Sequence, residues 1–189
     1  MEADWAAEIG PDLPSIDVPW EGFVDLRQAS SVVQAVEEAI DHPALREALL
    51  TLNSKASPVF TAKCDVWILG SSEIDPDEFA SYAENAHDGV ASYTDLLQLD
   101  PGQFASFQFH ERWAHDLTRY LQDLTLFNGR VEFVIRTASI DSRSGYGLTL
   151  YAAGCGADAS SAYAAWQGVL RAAVIATMVA VVFLPPAGE

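Results

Sequence analysis

Hydrophobic and polar positions are most sharply patterned in the last third of the chain. Residues 131–141 carry Val131, Phe133, Val134, Ile135, Thr137 and Ile140, and residues 146–153 form a second run of the same character. Between them lies Ser142-Arg143-Ser144-Gly145, a turn cluster whose glycine tolerates positive φ. Two β-prone runs around a short glycine-containing loop predict a β-hairpin. Asp158 then offers an N-cap, and Ala162, Tyr163, Trp166, Val169, Leu170, Ala173 and Val174 recur at helical spacing. From Ala172 to Leu184 only Thr177 is polar. A helix apolar on all sides belongs in a core or in a membrane. This run has 13 residues, fewer than the ~20 a bilayer requires, and Arg171, Gly168 and Gln167 precede it. The expectation is a core helix ending near Met178, then a buried strand over 179–184 stopped by Pro185-Pro186. A C-terminal membrane anchor is the less favoured alternative.

Upstream, residues 59–69 alternate as a half-buried strand does. Phe60, Ala62, Cys64, Val66 and Ile68 fall on one face, and Thr61, Lys63, Asp65 and Trp67 on the other. Asp75-Pro76-Asp77-Glu78 has the form of a helix start, and Phe79, Tyr82, Ala83, Ala86, Val90, Tyr93 and Leu97 keep a helical period after it, weakened by Gly89. Asp100-Pro101-Gly102-Gln103 repeats the start signal. The helix that follows carries Trp113, Leu117, Leu121 and Leu124 on one stripe, with Asn128-Gly129 as its end. Before residue 59, Ser30 or Ser31 opens a short helix through Val32, Val33, Val36 and Ile40. His42-Pro43 breaks it and starts a second through Leu45, Leu49 and Leu52. Residues 1–27, with Pro11, Pro14 and Pro19, read as an extended arm that lies on the domain through Trp5 and Trp20.

With the two middle helices taken as one crossover, the order from residue 59 is βαββαβ. The expected fold is therefore α+β: an antiparallel sheet covered on one face by helices, ferredoxin-like in order, with extra N-terminal helices. Residues 28–189 would form a single domain behind the arm. A plain three-stranded sheet under a helical layer is the rival. In the ferredoxin-like order the first and third strands are neighbours, and the sheet face away from the helices would present Lys63, Asp65, Trp67, Glu132, Arg136, Thr149 and Tyr151. Aromatics among paired charges suit a binding face. Three uses of it stay open: a ligand or partner surface, a self-association surface, or a surface covered by the Trp-bearing arm. A β-bulge would reverse the assignment.

Charge narrows the function classes. Asp and Glu number 27 against 10 Lys and Arg, a net charge of −17. Nucleic-acid binding rests on neutralising phosphates with Lys and Arg, so it is disfavoured, as is an anionic membrane surface. A basic partner would be steered toward the chain. The first residues lack the basic and apolar regions of a signal peptide. The two cysteines, Cys64 and Cys155, do not make a disulfide framework, so a cytoplasmic setting is expected.

No motif rises to a reaction. Gly154-Cys155-Gly156-Ala157-Asp158-Ala159 matches the dinucleotide fingerprint by letter, but no acid follows about 20 residues on, and Asp158 would repel a pyrophosphate. A tight strand-to-helix turn accounts for it. A helix start beside Cys155 could lower its thiol pKa, against the plainer reading of a buried or turn cysteine; Cys64 belongs to the core face. His110 and His115 are spaced i, i+5, not the i, i+4 of a zinc-protease helix, and surface pairs such as Glu111 with His115 explain them. The acids at 73–78 lack the glycine of a calcium loop. No metal or cofactor is expected. The leading expectation is a non-enzymatic acidic protein-binding module of inhibitor, immunity or adaptor type, with a basic protein or a second copy as partner. The alternative is a small-molecule-binding protein or enzyme using the open sheet face, with Arg136 and Lys63 as anion anchors.

Overall fold

The computed structural model describes residues 1–75, 78–79 and 86–183. Their elements, in chain order, are β1 (Glu2–Glu8), β2 (Ile16–Val18), a 3-10 helix (Ser30–Ala35), α1 (Glu37–Asp41), α2 (Pro43–Leu52), β3 (Val59–Gly70), β4 (Asp88–Gln98), α3 (Pro101–Phe104), α4 (Phe107–Gln122), β5 (Gly129–Ile140), β6 (Arg143–Gly156) and α5 (Ala159–Phe183). The sheet runs β1-β5-β6-β4-β3, with β2 also paired to β5. β1 and β2 are parallel to β5, and every other pairing is antiparallel. The class is α+β, with a mixed rather than antiparallel sheet. Its order is not the ferredoxin-like one: β4 lies between β3 and β6, so the first and third expected strands do not touch.

Two differences produce this order. The stretch 88–98, expected as helix, is β4. Its residues are buried on both faces, because strands flank it on both sides and helices cover one face. Such a strand loses the period-2 alternation that would announce it, and Val90, Tyr93 and Leu97 then mimic a helical stripe. The earlier part of that expected helix, around Tyr82 and Ala83, lies outside the described residues. The second difference is at the N-terminus, where the segment expected as an arm supplies two strands to the sheet. Trp5 packs against the main core and Gln122 Nε2 donates to the Ala3 carbonyl at 2.9 Å, tying β1 to α4.

The hairpin forms as β5–β6 with a tighter turn than expected. Asp141 and Ser142 alone connect the strands, and Asp141 takes the positive φ of 54°. Gly145 instead pairs with Ala138 inside the ladder. In the crossover, Asp100 caps α3 by accepting from the Gln103 N–H at 2.8 Å, and Ser106 caps α4 by accepting from Phe109 at 3.2 Å. α4 ends at Gln122, before Leu124.

Helices α2, α4 and α5 cover one sheet face. Trp113, Leu117 and Leu121 of α4 and Ala162, Trp166, Val169 and Ala173 of α5 meet Val131, Phe133, Ile135, Leu148 and Leu150. Trp166 Nε1 donates to Ser92 Oγ at 2.9 Å, so its one polar atom is satisfied in the core. α5 remains helical through Phe183, where a strand from residue 179 was expected; Leu184 onward lies outside the described residues. Ala159–Val179 is long and apolar enough to cross a membrane, but half of that window is buried against the protein. His110 is buried, its Nδ1 2.9 Å from the Ser106 carbonyl, while His115 is exposed and pairs with Asp116 rather than Glu111. Asp158 precedes α5 and accepts from the Ser161 N–H at 2.7 Å, as a turn into a helix requires.

Candidate functional site

The face away from α2, α4 and α5 is assembled by register. Asp4, Glu132, Tyr151, Tyr93 and Asp65 are successive cross-strand partners, one row across five strands. The next row toward the β3–β4 turn contains Glu2, Arg130, Ala153, Ala91 and Trp67. On the other side of the tyrosine row lie Asp95 and Thr149, then Arg136 opposite Glu8. Directly opposed side chains in a ladder are neighbours, so each row is a continuous surface.

Three rings step across this face. The Trp67 and Tyr93 centroids are 6.5 Å apart, and those of Tyr93 and Tyr151 are 6.1 Å apart. Trp67 is 36% exposed and the tyrosines are half-buried. The Tyr93 hydroxyl is pushed up to about 12 by burial, then by the Asp95 and Asp65 carboxylates, so it stays protonated.

Beside the rings is a polar chain. Thr149 Oγ1 donates to Asp95 Oδ1 at 2.6 Å and accepts from Arg136 Nε at 3.1 Å. Arg136 Nη2 donates to the Tyr151 hydroxyl at 3.2 Å, and Nη1 lies 2.9 Å from Glu8 Oε2, an ion pair without hydrogen-bond alignment. Arg136 is only 7% exposed. Burial holds the Asp95 carboxyl above the usual range, against the lowering effect of Thr149, Arg136 and Lys63. Arg130 is likewise engaged, with Glu78 and with Glu132 at 3.3 Å.

Six of the seven residues expected on this face stand on it together: Asp65, Trp67, Glu132, Arg136, Thr149 and Tyr151. Lys63 departs from them. A register break between Thr61 and Cys64 turns the strand there. Phe60 and Ala62 consequently join the open-face side, under Ile16, Val18 and Phe23, while Cys64 and Val66 pack toward the helices. Lys63 sits with its ammonium 5.4 Å from the Trp20 ring centroid. The N-terminal segment therefore covers the Phe60–Leu97–Ala138 end of the face and leaves the aromatic row open. Arg136 is bonded within the sheet and does not stand free as an anion anchor.

Tyr93, Asp95, Asp4 and Glu8 were not legible as site residues. The first two lie in the strand that reads as helix, and the last two in the segment that reads as an arm. The signal available for Tyr93 and Asp95 was the glycine at 89 followed by β-branched and aromatic residues with no basic residue through 98.

A cleft of about 500 Å³ opens beside the bulge, between residues 20–38 and β3. Cys64 forms part of its wall. Burial, with Glu38, Asp65 and Asp95, pushes that thiol up to about 12, so it is a neutral, poorly nucleophilic group. Cys155 is buried and its thiol is also raised by burial. No group of three His, Cys, Asp or Glu side chains among the described residues is arranged to hold a metal ion. Comparisons with protein-family models, with curated proteins and with solved structures find no match to this chain.

Proposed function

We propose that the chain is a non-enzymatic protein-binding module that takes a cationic segment of a partner on its open sheet face. One observation carries the reading. The two arginines of the face are consumed inside it, by Glu8, Thr149 and Tyr151 and by Glu78 and Glu132. The rings of Trp67, Tyr93 and Tyr151 and the exposed carboxylates of Glu2, Asp4 and Asp65 stay available outward. Acids flanking aromatic faces favour Lys and Arg side chains through charge and through cation–π attraction. The net charge of −17 steers such a partner inward. Two free thiols suit a reducing compartment, and we place the activity in the cytoplasm.

The test is fluorescence anisotropy with an octapeptide of alternating lysine and valine, against its glutamate counterpart, at low and high salt. The lysine peptide should bind, weaken with salt, and lose about tenfold in affinity on Trp67→Ala. Equal binding of the glutamate peptide, or an affinity indifferent to salt and to Trp67, would overturn the reading.

A further inference from the structure

The cleft beside β3 has the size of a small-molecule pocket; such sites run roughly 300–1,000 Å³ and combine apolar walls with a few convergent polar groups. Trp20, Val24, Leu26, Val36 and Leu49 supply apolar surface. Glu37, Glu38 and Asp65 supply charge at the same cleft. None of the three carboxylates has a Lys, Arg or His at ion-pair distance among the described residues. The one cation of the lining, Lys63, is set against the Trp20 ring instead.

Three carboxylates without an ion-pair partner, Glu38 half-buried and Glu37 and Asp65 exposed, ring a concave, partly apolar space and together favour a cation there. Cys64, also in the cleft wall, is a neutral thiol, raised first by burial and then by Glu38 and Asp65, and brings no charge of its own. A bare metal ion is a poor occupant, since these oxygens do not converge as a ligand set. An ammonium on an apolar body uses both halves of the lining, the charge against the carboxylates and the body against Trp20 and the aliphatic wall.

We propose that this cleft is a binding site for a small organic cation with an apolar body. The bulge in β3 shapes it, since the two residues it leaves out of register, Ala62 and Lys63, stand in the cleft wall; bulges recur where a strand must re-aim side chains at a site. The cleft shares Asp65 and Tyr93 with the aromatic row, whereas Trp20 and Glu38 belong to the cleft alone, so variants at those two positions test this proposal apart from the peptide-binding reading.

Isothermal titration calorimetry on the full chain tests it with two matched pairs: choline against its uncharged isostere 3,3-dimethylbutan-1-ol, and phenethylammonium against phenylacetate. Each cation should bind about tenfold or more tighter than its partner. Glu38→Gln and Trp20→Ala, both at solvent-accessible positions, should each weaken the cations by about the same factor while keeping the wild-type urea midpoint. Trp67→Ala should leave them unchanged, which separates this site from the open face. Tighter binding of phenylacetate would make Lys63 the governing group and overturn the proposal. So would no heat from either cation at millimolar concentration, or affinities indifferent to both Glu38 and Trp20.

Discussion

Replacing Gly154 with alanine tests the packing that holds α5 on the sheet. An added Cβ would lie 2.6 Å from Trp166 Cα and 2.7 Å from the Ala165 carbonyl carbon, well inside the ~3.5–4.0 Å at which carbon atoms rest against each other. Both obstacles are helix backbone, so no rotamer change relieves the overlap. α5 would have to lift by about 1 Å over β6 to restore normal contact. That motion loosens Ala162, Trp166, Val169 and Ala173, all fully buried. Overpacking a core costs about 1–3 kcal/mol, and a backbone obstacle puts Gly154→Ala at the upper end, ~3 kcal/mol. A domain's whole stability is about 5–15 kcal/mol, and the melting temperature should fall by roughly 6–12 °C. Urea unfolding followed by tryptophan fluorescence and far-UV circular dichroism measures it.

Gly129→Ala supplies the contrast. Its Cβ meets the Val169 Cγ2 methyl, a side-chain obstacle. Val169→Ala should therefore rescue part of the Gly129→Ala loss in a double-mutant cycle and leave the Gly154→Ala loss intact. A Gly154→Ala protein within about 0.5 kcal/mol of wild type, or one rescued equally by Val169→Ala, would refute the argument that helix backbone rests on β6.

Two further outcomes follow from the charged and thiol groups. Asp95 has a raised pKa in the fold, so its ionisation is disfavoured by folding; its contribution to stability is lost as pH rises from about 4 through that raised value. Asp95→Asn, which keeps an acceptor for Thr149, should gain on wild type as pH rises across that window in urea titrations, and a constant difference would show that Asp95 ionises freely. Cys64 and Cys155 should both resist iodoacetamide at pH 8 in the native protein and react together in urea; fast native labelling of Cys64 would contradict its burial among carboxylates.

The hairpin was legible because it is local: β5 and β6 pair across two residues, and Phe133, Ile135, Leu148 and Leu150 alternate with Glu132, Arg136, Thr149 and Tyr151, interrupted by Val134 alone between Glu132 and Arg136. The same alternation placed most of the open face correctly. β4 was hidden because being buried on both sides erases alternation. β1 was hidden because its sequence, Glu-Ala-Asp-Trp-Ala-Ala-Glu, has little β preference of its own. It forms a strand by pairing with β5, more than a hundred residues away. The bulge at Thr61–Cys64 moved Lys63 off the row, a shift that depends on the partner strand rather than on β3's own residues.

β3 has one sheet neighbour, β4, and its outer half carries Trp67 and Ile68, the latter 66% exposed. An edge strand can template another extended chain, and the usual guards of lysine or proline are absent from Cys64 to Gly70, where the Val66 and Gly70 amides are instead donated to Asp65 Oδ1 and Glu73 Oε2. Mutual repulsion adds to these two local caps in holding identical molecules apart, and the sequence pI of about 4.3 marks where that repulsion vanishes. The acidity of the whole chain thus acts as a colloidal guard for a single strand, a guard that weakens as salt is added or as the pH nears the isoelectric point.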